Sequence, residues 1–161
     1  MSNQRLVGNW LPFVLCTVVV GSLGADCASL IPDTTNTDPV TVELVNYGAY
    51  SLDPRLYVSP SQSIGYDGEL LASVNHVAVT PAVAAGETVT LVFNCADIGT
   101  ITTDHADLYL TASTTKASDN GPWLVQDQVF SCGDTITFIY IDDSVAGFYT
   151  RVEVNDTFLE D

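Results

Sequence analysis

The stretch Gly86-Glu-Thr-Val-Thr-Leu-Val-Phe-Asn-Cys95 constrains the fold more than any other part of the chain. Val89, Leu91, Phe93 and Cys95 share one parity; Thr88, Thr90, Val92 and Asn94 share the other. A period of two with one apolar parity predicts a strand with one buried face, and it places a cysteine on that face. A second cysteine, Cys132, stands just before another β-rich run, Thr135-Ile-Thr-Phe-Ile-Tyr-Ile141. We therefore expect Cys95 and Cys132 to pair as a staple across a β-sandwich. Closing a loop between positions 37 apart removes unfolded-state entropy worth about 4 kcal/mol.

The same period recurs along the chain. Val40–Asn46 alternates, with Val40, Val42 and Leu44 inward; Arg55–Ser59 is a second strand, stopped by Pro60. Residues 47–54 form a turn region. Segment 69–79 fits either a helical stripe (Leu70, Leu71, Val74, Val77, Ala78) or an extended stretch. Its β-branched residues and the all-β surroundings favour the extended form. Residues 96–105 are expected as a loop, with room for a short strand at 99–102, and Ala106–Thr111 as a strand. Residues 112–121 are expected as a surface loop. Trp123–Cys132, Thr135–Ile141 and Phe148–Val154 complete the strands, with Phe148, Val152 and Val154 inward. Short strands separated by regular turn signals define an all-β protein, an antiparallel β-sandwich of seven to nine strands.

Residues Leu6–Ala25 carry no charged side chain and end in Gly-Ser-Leu-Gly-Ala, behind a short positive start at Arg5. That is the layout of an export signal peptide, residues 1–25. A permanent membrane anchor is the competing reading, since about 20 apolar residues span a bilayer; Pro12, Gly21 and Gly24 favour the signal. A polar tether (26–39), the sandwich domain (40–155) and an acidic tail (156–161) follow. Export implies an oxidising compartment, which agrees with the expected disulfide.

The chain holds 20 Asp and Glu against 4 Lys and Arg, a formal net charge of −16. Such a surface has no basic patch to displace counterions, which excludes nucleic acid as a partner and disfavours anionic lipid. Calcium is compatible with it. The aspartates that cluster at turns, Asp104 with Asp107 and Asp142 with Asp143, are the candidate metal ligands. No Gly-x-Ser-x-Gly, P-loop, CxxC or HxxxH spacing is present, and the two histidines, His76 and His105, stand in no recognisable catalytic setting. The chain is thus expected not to be an enzyme, with an unrecognised carboxylate pair as the remaining catalytic reading. Tyr57, Tyr109 and Tyr149 all take the outward parity of their strands, which raises an aromatic stripe on one outer face, suited to carbohydrate.

Leu23-Gly-Ala-Asp-Cys27 resembles the signal of bacterial lipoproteins, in which a leucine and small residues lead into a lipid-modified cysteine. Asp26 departs from that pattern and displaces the leucine by one place. At the level of class, the chain resembles small exported bacterial lipoproteins carrying an immunoglobulin-like β-sandwich. The resemblance implies lipidation at Cys27, a location in the cell envelope or outside the cell, and attachment to the membrane only through the signal or a lipid. The function expected is a surface or structural module that contacts protein partners or assembles with itself. A module for carbohydrate or calcium is the alternative.

Overall fold

Ten strands in two facing sheets form from this alternation, as seen in a computed structural model that describes residues 37–63, 67–80, 82–111, 114–119 and 121–159. The expected signal peptide, Cys27, most of the tether and the last two residues of the tail lie outside the described residues. In chain order the strands are β1 (Val40–Asn46), β2 (Leu52–Ser59), β3 (His76–Val77), β4 (Thr88–Phe93), β5 (Thr100–Thr111), β6 (Thr114–Ala117), β7 (Leu124–Val125), β8 (Thr135–Asp143), β9 (Gly147–Val154) and β10 (Thr157–Phe158). The first sheet runs β10-β9-β8-β1-β4. The second runs β3-β2-β5-β6, with β7 on the same side of β5 as β6. Pairings are antiparallel except β1 with β8, which run parallel. The described residues belong to one compact unit.

The inward parities meet in one core. Val40, Val42 and Leu44 of β1, Ile136, Phe138 and Tyr140 of β8, and Val152 and Val154 of β9 face Leu52 and Leu56 of β2 and Ile101 and Leu108 of β5. The outward parities of β9 (Arg151, Glu153) and β4 (Thr88, Thr90, Val92) face away from it, as alternation requires.

Several elements differ from the expectation, each for a physical reason. Strand β2 begins at Leu52 and runs through Pro54, because the β2–β5 register shifts between Asp53 and Arg55. A proline is tolerated where the ladder is already interrupted. Strand β5 is a single run of twelve residues, not a loop followed by a strand. Its first half hides the period because Thr100, Thr102 and Thr103 are all buried. Two of the three hydroxyls bond to crossing segments: Thr100 Oγ1 donates to Ser61 O (2.6 Å) and Thr102 Oγ1 to Pro122 O (3.0 Å).

Segment 69–79 is not one extended stretch. A helical turn α1 (Asp67–Leu70) and a 3₁₀ turn (Ser73–Asn75) precede the two residues of β3. Leu70 is buried while Val74 is 87% exposed, so no helical stripe forms either. The Asn75 amide closes the segment by donating to the carbonyls of Glu69 (3.0 Å) and Leu70 (3.1 Å). The expected loop at 112–121 contains β6, the run 123–132 is strand only at β7, and the tail pairs briefly as β10.

Two glycines meet geometric demands. Gly86 (φ +73°) enters β4 through a bulge opposite Asn46, a left-handed position that suits glycine. Gly99 passes so close to the Pro60–Ser61 backbone that a side chain there would collide with it.

Candidate functional site

The expected disulfide forms, between Cα atoms 5.4 Å apart. It sits differently from the expected staple between strands. Cys95 begins the 3₁₀ turn after β4, and Cys132 lies in the loop before β8. Both segments are crossovers: β4 to β5 leaves the first sheet and β7 to β8 returns to it. The bond therefore ties two crossovers together beside the start of β1. Gln126 caps it, its amide donating toward Cys95 Sγ (2.7 Å) and Cys132 Sγ (3.3 Å).

The candidate metal ligands do not converge. Asp107 accepts from Arg55 Nη2 at 2.7 Å, with Asp104 opposite Arg55 in the register. Asp142 of the first sheet accepts from Lys116 Nζ of the second at 2.8 Å, an ion pair between the sheets. Asp143 caps the β8–β9 turn: its Oδ1 accepts from the amides of Ala146 and Val145 (both 2.7 Å), and those bonds lower its pKa. These acids hold cations and amides of the chain itself. Among the described residues no three Asp, Glu, His or Cys side chains group to hold a metal ion.

The aromatic stripe also fails to assemble. Tyr57 and Tyr109 belong to β2 and β5 of the second sheet, Tyr149 to β9 of the first. All three face outward, so Tyr149 lies on the opposite side of the sandwich; parity within a strand does not say which sheet receives it. The outer face of the second sheet instead carries small pairs. The Tyr57 ring tilts against His76 with centroids 5.3 Å apart. The Tyr109 hydroxyl donates to Asp53 Oδ2 at 3.3 Å, and the Asp53 charge raises the Tyr109 pKa. Asp53 and Asp107 are register partners, and Asp107 is engaged by Arg55.

What the pattern of the sequence did not reveal is the place of β4. It ends the first sheet. Asn46 N–H donates to Glu87 O (3.0 Å) and Gly86 N–H to Asn46 O (2.9 Å), so Asn46 opens the ladder as a hydrogen-bonded pair. Bonded and non-bonded pairs alternate along an antiparallel ladder. Val89, Leu91 and Phe93, opposite Leu44, Val42 and Val40, therefore bond to β1. Thr88, Thr90 and Val92 turn their N–H and C=O away from the sheet. The opposite side of β1 agrees, since Thr41 N–H bonds to Asp134 O and Tyr47 N–H to Tyr140 O beside β8.

Strand β4 has six residues, none of them charged or proline, and Val92 is 64% exposed. The other sheet margins are β10, β3 and β7, of two residues each, and β6, which carries Lys116. Short or charged margins are the usual protection against edge pairing, and β4 lacks it.

Among the described residues, fold and site together define an all-β sandwich with one long unprotected edge. No family model matches the chain, and neither a curated protein nor a solved structure matches it.

Proposed function

We propose that this chain is a non-enzymatic interaction module of the bacterial cell envelope that contacts protein through the β4 edge. The observation that carries the reading is the set of outward N–H and C=O groups at Thr88, Thr90 and Val92 on an uncharged, unguarded strand. Addition of a strand there supplies backbone hydrogen bonds for affinity and alternate side chains for selectivity. The apolar, small-residue run before Ala25 supports export, and Leu23–Cys27 supports a lipid anchor, in keeping with the resemblance to small exported lipoproteins.

A photo-crosslinking residue in place of Val92, in the protein expressed with its own N-terminus, tests this. A discrete adduct in the envelope fraction, absent when the probe replaces Ser73 in the 3₁₀ turn before β3, is expected. A folded protein that gives no adduct from position 92, or that stays in the cytoplasm, overturns the reading.

A second reading rests on the outer face of the second sheet. Asp53, Arg55, Tyr57, Leu71, Ser73 and His76 line a groove of about 410 Å³. Convergent polar groups around an aromatic ring suit a small polar ligand such as a sugar. Chemical-shift changes at Tyr57 and His76 on adding a panel of mono- and disaccharides support it, and their absence at millimolar sugar rejects it.

A further inference from the structure

We infer that the occupant of the β4 edge is a second copy of this chain, paired antiparallel about a two-fold axis at Thr90. This rests on reading β4 as the contact edge, and it names the partner.

The strand is its own complement. With the axis at Thr90, Thr90 faces Thr90 of the second copy, Thr88 faces Val92, and Val89 faces Leu91. Because Thr88, Thr90 and Val92 carry the outward backbone groups, these pairs exchange six hydrogen bonds and join the two five-stranded sheets into one continuous sheet. Thr–Thr and Thr–Val are favourable cross-strand neighbours on the outer face. On the core side Val89, Leu91 and Phe93 are only half-buried, and the second copy covers them. Other registers offset the outward groups of the two strands or bring fewer of them together.

Charge is the obvious objection, since each chain carries a formal −16. Strand β4 answers it locally, because it is an uncharged strip in an acidic molecule. Beside the centre of the pairing the acid on the outer face is Glu43, opposite Thr90 on β1. In the pair the two Glu43 residues stand three strand spacings apart, about 14 Å, which exceeds the Debye length of about 8 Å at physiological salt. The residual repulsion makes a clear prediction: added salt tightens the pair. A basic foreign strand on the same edge shows the opposite dependence.

The test is cysteine trapping by register in the full chain, with sedimentation at low and high salt. Thr90→Cys is expected to cross-link two copies rapidly, since its mates are about 5.5 Å apart at Cα, within disulfide range. Val92→Cys alone is expected not to cross-link, whereas a mixture of Thr88→Cys and Val92→Cys forms the mixed dimer. The dimer fraction rises with salt. Thr90→Pro removes an N–H that the fold does not use, so thermal unfolding is preserved while both central hydrogen bonds vanish. Dimer affinity then falls about 100-fold, at about tenfold per bond lost.

Equal trapping at positions 90 and 92, or a monomer at every salt concentration, overturns the self-pairing. If the monomer still gives a foreign adduct from a probe at Val92, the edge reading stands and only the partner is wrong. If the Thr90 amide is already protected in that monomer and no foreign adduct forms, residues 1–36 of the same chain become the occupant to test, and both readings fail.

Discussion

Asn46→Ala tests how the two sheets are held at one end of the sandwich. Asn46 is fully buried at the end of β1. Its amide donates to the carbonyls of Tyr50 (2.8 Å), Val83 (3.0 Å) and Ala84 (3.0 Å), and its Oδ1 accepts from Gly48 N–H (2.8 Å). One side chain thus organises the turn into β2 and the segment leading to β4. The four bonds are not equal. Val83 O also accepts from Leu52 N–H, and Ala84 O from Glu87 N–H, so those carbonyls keep a partner when the amide is removed. Gly48 N–H and Tyr50 O lose the partner that Asn46 gives them. Two orphaned groups at about 1 kcal/mol each, the low end for a partly buried group, plus two lost bonds at about 0.5 kcal/mol each, make about 3 kcal/mol. With a urea m-value of about 1.5 kcal/mol/M, the midpoint should fall by about 2 M. Asn46→Asp should cost more at neutral pH, because it keeps the acceptor for Gly48 but turns a carboxylate toward three carbonyls. The assay is urea unfolding followed by tryptophan fluorescence. A loss under about 1 kcal/mol for Asn46→Ala refutes the reasoning, because the network would then be decoration on ends held by something else.

Reduction of Cys95–Cys132, 37 positions apart, should add two hydrogens to the intact mass and lower stability by about 4 kcal/mol; an unchanged urea midpoint on reduction contradicts the crossover clamp. Tyr140 lies fully buried in the core, and burial drives its pKa far above 10. The unfolded chain therefore releases that proton first, so stability is complete below pH 10 and falls by about 1.4 kcal/mol per pH unit above it. Chemical denaturation between pH 9 and 11.5 should show this slope, and Tyr140→Phe should reduce it; an identical slope in the variant shows that other groups cause it. Gly99→Ala forces a methyl group into the Pro60–Ser61 backbone and should cost about 1–3 kcal/mol as overpacking; a neutral result by calorimetry means the 59–61 segment moves aside freely.

The parts of the fold legible in the sequence are those governed by neighbours in sequence. Strand β1 has the expected bounds, and β9 the expected parity, because apolar and polar residues alternate there with one face in the core. The cysteine pairing was legible too, since each cysteine stands beside a strong strand. Elements stabilised by distant partners were not. The first half of β5 buries threonines whose hydroxyls bond to crossing loops, which erases the alternation. Pro54 suggests a stop, yet it falls at a register shift that a strand can carry. Strand β6 shows nothing apolar locally and is placed by β5 and by Lys116 reaching Asp142.

The candidate site follows the same division. Outward parity was right for Tyr57, Tyr109 and Tyr149, but the stripe required all three strands to share a sheet, and sheet membership is a long-range property. The aspartates were noticed as turn residues with spare charge. With so few basic residues in the chain, Arg55 and Lys116 draw Asp107 and Asp142 to themselves. The β4 stretch stood out at once as a strand, while its position at the margin of a sheet depends on the order in which strands pair.

The most direct test of the central claim is amide hydrogen exchange along β4, read by nuclear magnetic resonance at low and high protein concentration. In dilute protein Thr88, Thr90 and Val92 should exchange rapidly while Val89, Leu91 and Phe93 are protected by β1, and at high concentration the first three should become protected as well. Equal protection of all six in dilute protein, or no change at Thr90 as concentration rises, contradicts the account of β4 as an open edge that pairs with its own kind.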